Sequence, residues 1–146
     1  MSAPVSATTI PATLTLPEHR DAYYGGAWHK PKRGRYADTI NPGTGDVLAS
    51  VADGTAEDVE AAIAAAQAGF ETWRRVAPLE RARLLRRAAA ILREHAGELA
   101  ISDAADCGNP VKEMLGDAMV AAAQMDFFAG FVTEMRGPRF PWGLTS

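Results

Sequence analysis

The chain has little of what most reaction centres are built from. It holds a single cysteine in 146 residues, which excludes an internal disulfide and fits a reducing compartment. It has no surplus of positive charge: 15 Lys and Arg against 18 Asp and Glu leave a net charge of −3. That balance removes the electrostatic footprint by which proteins hold nucleic acid or an anionic membrane surface. No apolar run approaches the roughly 20 residues needed to cross a bilayer, and the N-terminus lacks the basic start and apolar stretch of a signal peptide. The expectation is a cytoplasmic protein with neither nucleic acid nor membrane as a partner. His19, His29 and His95 show no ligand spacing with one another or with Cys107, so no zinc site is expected. The glycine turns at Gly25-Gly26 and Asn41 to Gly45 do not lead from a strand into a helix N-terminus at phosphate-loop spacing, and no nucleotide cradle is visible.

What is present is an Ala- and Leu-rich stretch from Thr55 to Gly137 that reads as three helices. Thr55-Ala56-Glu57-Asp58 opens the first, with a hydroxyl at the N-cap and acids in the first turn. There an orphan N–H needs an acceptor and the positive helix end favours negative charge. Asp58 stands where a capping box usually carries Glu or Gln. Val59, Ala62, Ile63, Ala66, Phe70 and Trp73 recur at three- and four-residue spacing and make one apolar stripe. Pro78 ends this helix and suits the first turn of the next, where its missing N–H costs nothing. The second helix places Leu85, Ala88, Ala89, Leu92, Ala96 and Leu99 on its expected inner face. Arg81, Arg83, Arg86, Arg87 and Arg93 share the remainder with Glu80, Glu94 and Glu98, which predicts a solvated, salt-bridged face. The competing reading, an anion-binding stripe, runs against the net acidic charge. Cys107-Gly108-Asn109-Pro110 predicts the stop. The third helix is expected from about Lys112 to Met135, with Val120, Gln124, Phe127, Phe128, Phe131 and Met135 on one side and Gly137-Pro138 closing it.

Upstream, residues 1–20 are dominated by Ser, Thr, Ala and Pro without periodicity and read as a mobile arm. Tyr23-Tyr24, Gly25-Gly26 and Ala27-Trp28-His29 predict a short hairpin whose glycines supply positive φ. Lys30 to Arg35 is a basic loop. Tyr36 to Ile40 and Asp46 to Val51 read as paired strands around the Asn41-Pro42-Gly43-Thr44-Gly45 turn. Two N-terminal β-hairpins followed by three long helices make an α+β pattern without a βαβ unit.

The reactive residues describe a scaffold. Cys107 is the one candidate thiolate nucleophile, but a helix C-terminus and the neighbouring Asp106 both disfavour the charged form it would need. Glu57 and Asp58 are paired carboxylates on a first turn, where capping is the expected task. Phe127, Phe128 and Phe131 are expected in a core or an interface.

Six stretches, in order and in register from about Tyr23 to Gly137, resemble the N-terminal segment of the NAD(P)-dependent aldehyde dehydrogenase superfamily. Tyr24-Gly25-Gly26-Ala27-Trp28 is similar to its opening hairpin, and Thr39 to Val47 to its Asn-Pro turn with Thr-Gly. Asp58 to Trp73 resembles its first helix, and Pro78 to Leu85 the start of its second. Asp106-Cys107-Gly108-Asn109-Pro110 and Phe128-Ala129-Gly130-Phe131 resemble two later motifs. Asn109 stands where the family usually has Lys, Cys107 where it has Thr or Asn, and Gly25 where it has Asn.

The resemblance implies part of the α/β aldehyde dehydrogenase fold: a mobile arm over 1–20, the N-terminal part of the cofactor-binding domain over 21–137, and a truncated linker over 138–146. In a full-length protein it implies that a cysteine thiolate attacks an aldehyde, hydride passes to NAD or NADP, and a Glu-activated water releases the carboxylic acid. Those groups lie downstream in the family. Pro141-Trp142-Gly143 is not its cofactor segment, because it follows the third helix too soon and lacks the asparagine. The implied catalytic and cofactor-binding residues of this chain are therefore none, and alone it is expected to be inactive and to bind no cofactor. By position, Val120 and Gln124 correspond to tunnel-facing residues, and Thr39, Ile40 and Asp106 to a monovalent-cation site of carbonyl and carboxylate oxygens. A full-length member is expected to act on an aldehyde as a homo-oligomer. The alternative is a stand-alone helical interaction module, which would need Val59, Ile63 and Phe70 to pack onto Leu85, Leu92 and Leu99.

Overall fold

Described by a computed structural model over residues 13–132, the protein runs through four short strands and then four helices. Strands β1 (Ala22–Tyr24) and β2 (Ala27–His29) pair antiparallel, with Tyr24 opposite Ala27. Their two-residue turn demands positive φ twice, and Gly25 at 61° and Gly26 at 83° supply it. Strands β3 (Tyr36–Ile40) and β4 (Val47–Ala52) form the second hairpin, with an irregularity between Thr39 and Ile40. Its turn is closed by the Asn41 side chain, whose Oδ1 accepts the Gly43 N–H at 2.8 Å, and by the Gly45 N–H donating to the Asn41 carbonyl at 2.8 Å. The two hairpins are separate sheets, so the α+β class expected from the pattern is the one observed.

Helix α1 (Ala56–Trp73) starts where Thr55 predicts. Its main neighbour is β1. Val59, Ile63 and Phe70 are each more than half exposed, so the apolar stripe is real but uncovered, and the packing onto Leu85, Leu92 and Leu99 is not formed. The helix is tethered at its start instead. Asp58 accepts the Thr55 N–H, the Thr55 hydroxyl and the Lys32 N–H, at 2.8, 2.8 and 2.9 Å.

The expected second helix is two. Helix α2 (Pro78–Glu94) and helix α3 (Ala96–Cys107) meet at His95, whose φ of −100° and ψ of 9° leave the helical basin. His95 and Gly97 are both weak helix formers, and the break keeps one series of small residues facing helix α4 (Val111–Phe131) along both helices. That series is Ala82, Ala89, Ala96 and Ala100, met from α4 by Met114, Ala122 and Ala129; six of these seven are 2 % exposed or less, and Met114 is 9 % exposed. The core is therefore an alanine seam between α4 and α2–α3, the most extensive packing among the helices. Of the expected inner face, Ala89 and Ala96 are fully buried and Leu85, Ala88 and Leu92 partly so, whereas Leu99 is exposed. Alanine contacts let helix axes approach to the short end of the usual range of about 8–10 Å.

The third expected helix begins one residue earlier than predicted. Val120, Gln124, Phe127, Phe128 and Phe131 do share a side, but it is the solvent side. Met135, Gly137-Pro138 and residues 138–146 lie outside the described residues, as do residues 1–12.

Candidate functional site

The turn between α3 and α4 places the site. Gly108 caps α3 in the left-handed conformation (φ 77°), its N–H donating to the Ala104 carbonyl at 3.0 Å. A Cβ added there would meet Pro42 Cγ at 2.9 Å. Glycine is thus required twice, for its φ and for the close seating of the helix end on the β3–β4 turn. This seating brings Asp106, 67 residues away in sequence, to Thr39: the Thr39 hydroxyl donates to Asp106 Oδ1.

Around that pair lies an open cleft of about 190 Å³. Helix α3 contributes Ser102, Asp103 and Asp106, the hairpin Thr39, Leu48, Ala49 and Val51, and the segment before β1 contributes Leu16, Pro17, His19 and Arg20. Two of the three expected cation donors, Thr39 and Asp106, therefore come together. Ile40 does not line the cleft, and its side chain is half exposed beyond the strand irregularity. The group of Thr39 that meets Asp106 is its hydroxyl, whereas the resemblance implies its carbonyl. Among the described residues no cluster of three or more His, Cys, Asp or Glu could hold a metal ion. Arg20, Ser102 and Asp103 were not foreseen. Nothing but the three-residue spacing of Asp103 and Asp106 signals them.

Val120 and Gln124 occupy the exposed face of α4 together with Phe127 and Phe131, and neither lines the Asp106 cleft. The three phenylalanine rings touch one another at centroid distances of 4.8 to 6.4 Å. They form an aromatic cluster on the surface rather than in the core.

Elsewhere the reactive side chains have structural partners. Cys107 is exposed, and its Sγ lies 3.7 Å from Met114 Sδ with no base beside it. His29 Nε2 donates to the Tyr24 carbonyl at 3.1 Å, and His95 Nδ1 lies 3.2 Å from Glu98 Oε2. Asp58 is a cap, as expected. The Thr55 N–H above all, then the Lys32 N–H and the Thr55 hydroxyl, hold its carboxyl below the ordinary range. Glu57 pairs with Arg33 at 2.7 Å. On α2 the salt-bridged face is only partly formed. Arg83 binds Glu80 through two bonds of 2.9 and 2.7 Å, lowering the Glu80 carboxyl and raising the Arg83 guanidinium. Arg93 reaches across to Asp126 on α4 at 2.5 Å. Arg86 and Arg87 have no ion pair among the described residues.

Two separate antiparallel hairpins followed by four helices make an α+β unit, tied together where Asp106 at the end of α3 meets Thr39. Residues 28–144 match the aldehyde dehydrogenase family. The chain belongs to that family. It is 43 % identical over 131 residues to aldehyde dehydrogenase tropH of Talaromyces stipitatus, covering 90 % of this chain and 25 % of that protein. A mutant form of aldehyde dehydrogenase from Bacillus cereus superposes with a TM-score of 0.82 at 32 % identity, over 87 % of this chain and 26 % of that one. PnpE, in a complex with nicotinamide adenine dinucleotide, gives 0.81 at 28 % identity, over 86 % and 26 %. The chain thus spans about a quarter of the length of the relatives it matches.

Proposed function

We propose that this chain is the N-terminal portion of an NAD(P)+-dependent aldehyde dehydrogenase that oxidises an aldehyde to a carboxylic acid, and that by itself it turns over nothing. The observation that carries this is the combination of family membership with uncovered apolar faces on α1 and α4. Helices with such faces belong against further structure, and the matched relatives are about four times as long. NAD(P)+, when bound in a family-length protein, accepts the hydride. The residues that would hold it are expected downstream of this chain.

Within that protein we assign α4 to the substrate side, with Val120 and Gln124 facing the tunnel. Thr39, Ile40 and Asp106 hold a monovalent cation. A cytoplasmic homo-oligomer is the expected assembly. What supports the cation assignment is the meeting of Thr39 with Asp106 in a cleft that Ser102 and Asp103 also line.

Two experiments test the reading. The purified chain, given NAD+ or NADP+ and a panel of aldehydes, should produce no more reduced cofactor than a tag-only control. Turnover abolished by Cys107→Ser would overturn the claim of inactivity. Replacing the matched quarter of the Talaromyces relative with this chain should give a chimera that retains aldehyde oxidation. A folded chimera without activity would sink the family-length assignment.

A further inference from the structure

We propose that the apolar face of α1 is self-complementary, and that two copies of this chain pair through it, antiparallel about Ala66. In a family-length protein this face belongs against the rest of the polypeptide. The inference goes beyond that reading, because it names the occupant that fits the face on the chain itself.

The helix turns about 100° per residue. This brings Val59, Ala66 and Trp73 onto one line, with Ile63 and Phe70 on one flank of it and Ala62 and Gly69 on the other. Val59, Ile63, Phe70 and Trp73 are all exposed. A shallow hollow of about 530 Å³ lies at the middle of the face, between Ile63, Ala66 and Phe70. Beside Gly69 there is open space, since a Cβ built there meets nothing within 4 Å. The helix sits on β1 through another side, where a Cβ at Gly25 would lie 3.4 Å from Ala65.

The face is symmetric about its centre. Val59 and Trp73 lie seven residues from Ala66, Ala62 and Phe70 four, and Ile63 and Gly69 three. In an antiparallel pair with its two-fold axis at Ala66, positions before Ala66 come level with the positions equally far after it on the second copy. Ile63 is then level with Gly69, and Phe70 with Ala62, so each of these bulky side chains shares its level with a small one. The axis passes between two alanine methyls, where the helices can approach closely. A parallel pair would set Phe70 level with Phe70 and Gly69 level with Gly69, crowding one turn and leaving the next unfilled.

Charge selects the same direction. The start of α1 carries Glu57, Asp58 and Glu60 with no base, and its end carries Arg74 and Arg75. Glu60 has no ion pair among the described residues. Antiparallel pairing brings it beside Arg74 of the second copy, a residue held to its own Glu71 only by a long contact of 3.3 Å. Parallel pairing would lay acid on acid and arginine on arginine, which is repulsive. The helix has 18 residues and is about 27 Å long. The interface therefore falls below about 1,200 Å² in total, and the dimer is a weak one with a Kd on the order of 10–100 µM.

The test is sedimentation velocity of the purified chain across that concentration range, with cysteine cross-linking to read the direction. Wild type should pass from monomer to dimer. Ala66→Glu sets two carboxylates on the axis and should weaken the dimer at least about tenfold, whereas Phe127→Glu on α4 should leave the α1 dimer formed. Far-UV circular dichroism verifies the fold of Ala66→Glu, which is expected to hold because Ala66 is exposed. In a Cys107→Ser chain treated with diamide, Ala66→Cys should form a disulfide-linked dimer. Val59→Cys should not, because antiparallel pairing holds the two copies of position 59 about 21 Å apart. A wild type that stays monomeric, or a dimer indifferent to Ala66→Glu, overturns the proposal. Cross-linking at position 59 as efficient as at position 66 overturns the antiparallel pairing. None of these outcomes depends on whether the chimera oxidises an aldehyde, so the two readings fail separately.

Discussion

Single side chains with several partners carry the clearest energetic consequences. Asp58 accepts three hydrogen bonds that the unfolded chain cannot hold, so its folded-state pKa lies below the ordinary value of 3.8. The sign follows from linkage: a depressed carboxyl contributes stability that is fully present above its unfolded pKa and is lost as pH falls through the folded one. Asp58→Asn should therefore lower the thermal midpoint at neutral pH, and the gap to wild type should close on acidification below about pH 4. A gap that stays constant down to pH 2 would show that the carboxylate charge is not what matters. Gly108→Ala combines a left-handed backbone with a Cβ driven against Pro42, and should cost about 1–3 kcal/mol by denaturant titration. Gly69, on α1 with open space around it, gives the contrasting control. There alanine should stabilise by up to about 1 kcal/mol through helix propensity.

At the scale of elements, α1 and α4 respond to substitution to different degrees. Ala89 and Ala122 are fully buried in the seam, so Ala122→Leu should destabilise by about 1–3 kcal/mol through overpacking. Ile63→Ala changes the carbon count by the same amount in a residue that is half in water, and should cost well under 1 kcal/mol. Equal effects from the two changes would mean that α1 packs as tightly as α2. Much of this layout is legible in the chain's local chemistry. The Gly25-Gly26 turn, the Asn41 to Gly45 turn, the Thr55 start and the Pro78 start are each dictated by neighbours within a few residues. The break at His95 is harder to read, because continuous apolar spacing runs straight through it and the weak helix propensity of His95 and Gly97 is its one local signal. The seam is hidden for a related reason. The periodic stripe places Ala89 and Ala96 in the core but also Leu99, whereas the close approach of two helices selects Ala82 and Ala100, which lie off that stripe.

The candidate site belongs to the scale of the whole molecule. Thr39 and Asp106 are 67 residues apart and no periodicity connects them. Only the resemblance to the family pairs them, and no pattern in residues 16–20 indicates that this segment walls the same cleft. The exposed faces are likewise a property of the entire chain. Val59, Ile63 and Phe70 on α1, and Phe127, Phe128 and Phe131 on α4, are all about half exposed or more. Isolated, the chain should bind an apolar dye and self-associate with rising concentration in sedimentation velocity. The double variant Ile63→Glu and Phe127→Glu should reduce both. A monodisperse wild type that ignores the dye would contradict the assignment of these faces to a larger fold.

The alanine seam has one more consequence. Apart from Met114, its side chains are already the smallest that still possess a Cβ, so replacement there can add bulk but has almost none to remove. Change along the α2–α3 and α4 contact is therefore one-sided. A methylene gained anywhere must push the two rods apart, and Asp106, riding on the end of one of them, would be carried away from Thr39.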